Sequence, residues 1–265
     1  MMDRIGFIGG GAMGEAIIRG LIAQGMDPNH VTVYDLDRQR LKQMSSMLGV
    51  QTVLESKEIL FHCKTLILAV KPQNLSEAVA GFSADFTRDK LLISILAGVA
   101  TADIEKLLPE GSRVVRVMPN TPALIGEGTA VLAGGINATD EDMAVGRAIF
   151  EAVGRVSVLP ENLLNAVTGL SGSAPAYVYL IIEALADGGV LAGLPRNVAL
   201  QLAIDTVRGS ARMAEETQKH PGQLKDMVTS PAGTTIYGLL RLEKSGVRGA
   251  IMEAVLAAAK RAQEL

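Results

Sequence analysis

Tryptophan is absent from the chain, and aromatic residues make up 3% of its 265 positions. Surfaces that stack nucleobases or cage a quaternary amine are built from such rings, so both functions are disfavoured. The core must come from Leu, Ile, Val, Ala and Met. A single cysteine, Cys63 beside His62, excludes an internal disulfide and a Cys-rich zinc site, and reads as a buried or half-buried thiol. Net charge is −3 with no long run of Lys or Arg, so a nucleic acid is not an expected partner. Residues 1–8, MMDRIGFI, carry no secretory pattern, and no stretch reads as about 20 apolar residues flanked for spanning a membrane. The expectation is a protein of the reducing cytoplasm. What is present is an ordinary globular composition, 48% hydrophobic and 20% charged, long enough to bury a core without disulfides or a structural metal.

The first half alternates short apolar runs with helical stretches: RIGFIG, EAIIRGLIAQG, VTVYD, RQRLKQMSSMLG, TLILAV, and later LLISIL and RVVRVMP. Short β-branched runs feeding helices at this spacing signal βαβ units and a mostly parallel sheet. GTAVLAGG and GRVSVL add strands near 128–134 and 154–159. The helix between them is N-capped by Thr139 ahead of the acidic Glu141 and Asp142. A boundary falls near Pro160, giving domains 1–160 and 161–265. Beyond it only helices are read, over roughly 161–168, 174–192, 196–216, 232–245 and 247–263. The second, PAYVYLIIEALADGG, is apolar on nearly all sides, a pattern that water does not tolerate. A domain of about 100 residues has too little interior to hide such helices, so a second subunit is expected to cover them. The fold class is therefore α/β, an N-terminal doubly wound sheet of Rossmann type followed by an all-helical C-terminal dimerisation domain.

GFIGGGAMGEAI contains Gly9-Gly10-Gly11-Ala12-Met13-Gly14, a G-x-G-x-x-G sequence that follows a strand and opens a helix. Gly9 makes the tight turn, Gly11 lets the backbone approach a pyrophosphate, and Gly14 allows close helix-to-strand packing. The pyrophosphate then sits on the helix N-terminus. Asp35, about 20 residues beyond, stands where an acid takes the ribose 2′-OH of NAD. Arg38 and Arg40 could instead pair with the 2′-phosphate of NADP, so the choice of cofactor stays open. Further strand ends, AVKPQ, LAG and MPNTP, gather at the same edge, stiffened by Pro72, Pro119 and Pro122. Lys71 reads equally as a ligand contact or a surface lysine. Asn120 presents a donor and an acceptor together.

Two glycine-serine breaks interrupt the helical half. GLSGSAPAY makes Ser173 an N-cap with Pro175 in the first turn. In TSPAGTTIYGL, Ser230 and Pro231 announce a helix start whose first-turn N–H groups lack intrahelical partners and so form an anion site. Thr234 and Thr235 stand beside it, and the stretch holds no histidine or carboxylate. Ketone reduction develops alkoxide charge and wants a strong acid nearby. Reduction of a protonated C=N bond creates no anion and needs mainly orientation plus a hydrogen-bond partner.

With SPAGTT and RVMPNTP, the chain resembles the pyrroline-5-carboxylate reductase family. The likeness extends through GFIGGGAMGEAI, AVKPQ, GLSGSAPAYVYLIIEAL and, most specifically, HPGQLKDMVTSPAGTTIYGL. The resemblance implies reduction of 1-pyrroline-5-carboxylate to L-proline with NADPH or NADH. It implies an intertwined homodimer that can assemble further, for example to a decamer. Thr235 would be the catalytic hydroxyl on the ring nitrogen. The backbone N–H groups of Gly233 and Thr234 would hold the carboxylate, with Ser230, Ser173 and Asn120 completing the substrate site. Lys71, Pro72 and Ala97 would line the nicotinamide side, and Gly9, Gly11, Ala12, Met13, Gly14, Asp35, Arg38, Ser56, Ala69 and Val70 the rest of the cofactor. The chain departs from the family pattern at Ala232, where Gly is common, at Ser56, where Asn is frequent, and at Asp35, where NADP-preferring members carry a small or polar residue. A β-hydroxyacid dehydrogenase, the rival enzyme, would place a lysine on the helix after the glycine-serine turn, and 174–192 has none. A protein that senses NAD(P) without turnover would not need the second anion cradle.

Overall fold

The computed structural model describes residues 3–264. It divides into two compact units, one running through Ser173 and taking in the chain from Ala257 onward, the other Ala174–Leu256.

The first unit is built on eight strands: β1 (Ile5–Ile8), β2 (Val31–Tyr34), β3 (Gln51–Val53), β4 (Thr65–Leu68), β5 (Leu91–Ser94), β6 (Arg113–Met118), β7 (Gly128–Gly134) and β8 (Gly154–Val158). Their order in the sheet is β3-β2-β1-β4-β5-β6-β7-β8. Every neighbouring pair is parallel except β6 and β7, in the register Val115 to Gly134 and Val117 to Leu132. Six helices accompany the strands: α1 (Ala12–Ala23), α2 (Arg38–Leu48), α3 (Leu75–Ala80), α4 (Thr101–Glu105), α5 (Asp140–Glu151) and α6 (Leu164–Val167).

β1, β4 and β5 are buried at every position, because helices cover both faces and the pattern need not alternate. Successive residues serve opposite sides. Phe7, Val33, Ile67, Ile93 and Val115 join one core with α1 and α5, whereas Ile8, Leu66, Leu68, Leu92 and Val114 join the other. Each such side chain contributes roughly 1.5–3 kcal/mol on burial. Thr139 caps α5 as its sequence suggests: its hydroxyl accepts the Asp142 N–H at 3.2 Å, and the Asp142 carboxylate accepts the Thr139 N–H at 2.9 Å. β3 is not legible in the sequence, since QTV is a three-residue edge strand with no apolar alternation.

The segment after Pro160 starts on the sheet, where Leu164 and Val167 pack against Val131 and Ala133. The expected helix 161–168 is instead a 3₁₀ turn, Glu161–Leu163, then α6, then a π-helical turn, Thr168–Gly172. Ser173 is correspondingly not an extended N-cap. Its φ and ψ are −93° and −29°, and its N–H donates to the Thr168 carbonyl at 2.8 Å. Because this turn joins rather than separates its neighbours, the helical run Glu161–Leu191 reaches 31 residues, with 6% of its most apolar window buried. By length and composition alone it is long and apolar enough to cross a membrane, a test that the core helix of a soluble protein also passes.

In the second unit, α7 (Ala174–Leu191) and α8 (Arg196–Thr217) pack through the small residues Ala186, Ala199 and Ala203. α9 (Pro221–Met227), missed in the sequence, precedes α10 (Thr234–Lys244), and α11 (Val247–Gln263) follows, its residues from Ala257 on belonging to the first unit. Leu180, Leu191, Leu202, Tyr237 and Leu256 are all exposed on these helices.

Candidate active site

A cleft of about 330 Å³ opens outside the carboxyl ends of β1 and β4, where the strand order reverses. Its glycines differ in what surrounds them. Gly9 has φ +105°, and a Cβ there would lie 2.5 Å from the Ala69 carbonyl oxygen. A Cβ on Gly14 would lie 2.8 Å from the Gly9 oxygen, so helix and loop touch through bare backbone. A Cβ on Gly11 would meet no atom within 4 Å. The space it faces is available to a ligand. Gly11 is also the N-cap of α1, without a capping side chain, so first-turn amides point to the same opening. A dinucleotide pyrophosphate fits these residues.

Gly9, Gly11, Asp35, Ser56, Ala69, Val70 and Lys71 all line this cleft. Met13 instead faces a second cavity, with Ala69, Val70, Ile95, Met118 and Gly172. Ala12 begins α1, Pro72 begins a 3₁₀ turn, and Ala97 lies in the turn after β5, none of them on the cleft wall. Sequence reasoning missed Tyr34, Leu36, Asn74, Glu77, Ala78 and Gly81. Tyr34 and Leu36 flank Asp35 and were within reach of the strand-end argument. The other four sit on or beside α3, a helix of six residues too short to show periodicity.

Several polar groups around the cleft are already tied. The Asp35 carboxylate accepts the Gly10 N–H at 2.7 Å and the Asp37 N–H at 2.8 Å, which fixes the glycine loop to the end of β2. Arg40, expected as an alternative phosphate ligand, donates through Nε to the Gly10 carbonyl at 2.6 Å and pairs with Glu15. That guanidinium holds the Glu15 carboxyl below the ordinary carboxylate value, assisted by Arg19 and opposed by desolvation. Asp37 caps α2 by accepting the Gln39 and Arg40 N–H groups. Arg38 is exposed.

Asn120, a candidate substrate contact, lines the same second cavity as Met13, and its amide is also bonded within the protein. Its Oδ1 accepts the Thr129 N–H at 2.8 Å, and its Nδ2 donates to the Ser171 carbonyl at 3.0 Å, linking β7 to the π turn. A deeper network lies behind it. Buried Arg116 donates to Glu161 (3.4 Å) and Asn165 (3.1 Å), and Glu161 also accepts the Thr101 N–H and hydroxyl, each at 2.7 Å. Desolvation pulls the Arg116 guanidinium below its ordinary value, and Glu161 counters it.

In the second unit, Ser230-Pro231-Ala232-Gly233 forms a turn ahead of α10. The Gly233 N–H, expected to face a carboxylate, donates to the Ser230 carbonyl at 3.1 Å. Ala232 has φ +54°, so with Pro231 before it the geometry matches a type II turn, which asks for glycine at that position. The helix accordingly starts at Thr234, not near 232, because Pro231 initiates a turn. A Cβ on Gly233 would lie 2.3 Å from the Ser230 hydroxyl. Gly233 is the N-cap of α10, without a capping side chain. Thr234 and Thr235 therefore occupy the first turn, where amides lack intrahelical acceptors.

Comparison with known proteins places both features in one family. A family profile described as pyrroline-5-carboxylate reductase dimerisation matches residues 161–265, and one described as NADP oxidoreductase, coenzyme F420-dependent, matches 4–98. A pyrroline-5-carboxylate reductase of Methanosarcina acetivorans is 49% identical over 99% of this chain and 98% of its own. The chain belongs to the pyrroline-5-carboxylate reductase family. The Arabidopsis thaliana reductase is 46% identical over 99% of this chain and 95% of its own length. Among solved structures, the reductase of Coxiella burnetii superposes with TM-score 0.92 at 36% identity, covering 100% of this chain and 98% of the other. That of Plasmodium falciparum, solved with NADP bound, gives 0.91 at 31% identity, covering 99% and 97%. Membership in the reductase family accounts for the N-terminal sheet and the C-terminal helices together.

Proposed function

We infer that this chain catalyses NAD(P)H-dependent reduction of 1-pyrroline-5-carboxylate to L-proline, the final step of proline biosynthesis. The observation that carries the reading is the helix start at Thr234, with no side-chain cap and two neutral hydroxyls beside its first-turn amides. An anion of carboxylate size is stabilised there by unpaired N–H groups and the helix dipole. With the Gly233 N–H engaged by Ser230, the amides left for the substrate carboxylate are those of Thr234 and Thr235.

The other half of the machinery is the glycine loop. Gly9, Gly11 and Gly14 with the amides of Ala12 and Met13 would hold the pyrophosphate, and Asp35, Ser56, Ala69, Val70 and Lys71 the remaining cofactor surface, with Pro72 and Ala97 carried from the family resemblance. Bound there, the reduced nicotinamide would supply the hydride that reduces C5 of the imine. The Thr235 hydroxyl orients the ring nitrogen and favours its protonated form, so the bond that receives the hydride is already polarised. No strong acid is required, because the product nitrogen is neutralised by hydride addition rather than left as an anion.

The exposed apolar helices support a homodimer, each copy covering the other's α7 and α8 faces, and we extend this to a higher oligomer such as a decamer. Ser173 and Ser230 are each proposed as substrate contacts. A cytoplasmic location is part of the reading, supported by the lone buried thiol of Cys63. The test is consumption of reduced nicotinamide on addition of pyrroline-5-carboxylate by wild type and Thr235→Ala. A loss of roughly 10- to 1,000-fold in kcat/KM is expected, the scale of a lost positioned contact. Unchanged kcat/KM in a folded variant removes Thr235 from the mechanism.

A further inference from the structure

The cleft that would take the cofactor's adenosine end carries an unbalanced charge. Asp35 forms part of its wall, and neither Arg38 nor Arg40 does. Arg40 is engaged by the Gly10 carbonyl and Glu15. Asp37 fills the N-cap of α2 with its own carboxylate, so the helix start beside the cleft is already occupied by an anion. The remaining charged groups on the wall are Lys71 and Glu77. Lys71 follows β4, and β1 lies between β4 and β2, so Lys71 stands two strand spacings, about 10 Å, from the Asp35 end. Glu77 is a further negative charge.

Resting on the reductase reading above, we propose that this chain discriminates against the cofactor bearing a 2′-phosphate and is built for NADH over NADPH, with Asp35 as the specificity-determining residue. A ribose 2′-hydroxyl can donate to Asp35, whose two oxygens retain lone pairs beyond the Gly10 and Asp37 N–H bonds. A 2′-phosphate near neutral pH carries between one and two negative charges and has nothing to donate. It would meet the Asp35 and Asp37 carboxylates; of the two guanidinium groups that follow in sequence, Arg38 is exposed and off the cleft wall, and Arg40 would have to abandon Glu15 and the glycine loop.

Calorimetric titration of the full chain with NADH, NADPH, ADP-ribose and 2′-phospho-ADP-ribose tests this without turnover. Binding of NADH at least about 10-fold tighter than NADPH is expected, with the same order for the two fragments that lack nicotinamide. The gap should narrow with added salt, because the excluded charge is screened. Asp35→Asn, which keeps the shape and one carbonyl oxygen, should improve NADPH binding relative to NADH by about 10-fold. Equal or tighter binding of NADPH by wild type overturns the inference while leaving the reductase reading intact. Failure to bind either cofactor overturns both. A salt-independent gap, or one unmoved by Asp35→Asn, would also refute the electrostatic origin proposed for it.

Discussion

Two glycines of the loop make a sharp test, because the structure assigns them different penalties for the same methyl group. At Gly11 the added Cβ meets nothing within 4 Å, and φ −64° with ψ −177° suits any residue. Gly11→Ala should therefore change stability by no more than about 1 kcal/mol, the balance of a slightly poorer N-cap against a less flexible unfolded chain. At Gly9, φ +105° costs an L-residue about 1 kcal/mol or more, and displacing the Ala69 carbonyl 2.5 Å away adds about 1–3 kcal/mol. Gly9→Ala should lose about 2–4 kcal/mol, which for a chain of this size lowers Tm by roughly 5–15 °C. Binding should invert the order of severity per unit of stability lost. The Gly11 methyl occupies the space a pyrophosphate needs, an overlap of about 1–3 kcal/mol, or roughly 10- to 100-fold in Kd. Thermal melts and NADH titrations on the purified variants read both quantities. A Gly11→Ala protein that binds NADH like wild type, or a Gly9→Ala protein that melts like wild type, refutes the assignment.

Two other substitutions probe features away from the cleft. Ala232→Gly should be neutral or stabilising by up to about 1 kcal/mol, against the usual sign for a new glycine, since relief of the left-handed conformation offsets the added freedom of the unfolded chain; a clear drop in Tm would contradict the strained turn. Glu161→Ala removes the counter-charge of buried Arg116 and two acceptors of Thr101. A loss of about 2–3 kcal/mol in denaturant melts is expected, below the figure for a fully buried pair because Glu161 is partly exposed and Asn165 still receives Arg116; a loss under about 0.5 kcal/mol would show the network to be incidental.

The parallel half of the fold was legible because its strands are short, β-branched and buried on both faces. RIGFIG, TLILAV and LLISIL could hardly be read otherwise. β3 escaped because QTV lies at the edge with nothing to bury, and α3 and α4 escaped because five or six residues hold no helical period. The glycine loop was read from spacing, and each glycine's role is visible in what its missing Cβ would strike. What spacing could not convey was commitment. Asn120 and Arg40 look available in a sequence, yet both are bound by partners distant along the chain, Ser171 and Thr129 for one, Gly10 and Glu15 for the other. Ser173 and Pro231 misled in a related way, since glycine, serine and proline mark a backbone change without saying which. One marked a π turn inside a continuous helix, the other a type II turn ahead of one.

The oily helices of the second unit have a consequence for how the protein is made. A chain leaving the ribosome can complete its sheet from its own residues, but the segment from α7 to α10 has little to fold against until another copy arrives, so its melting temperature should climb with the amount of protein present. Dilution, or scarcity early in expression, is then a threat to this half specifically, and the time spent waiting for a companion is when the chain is most open to aggregation or proteolysis.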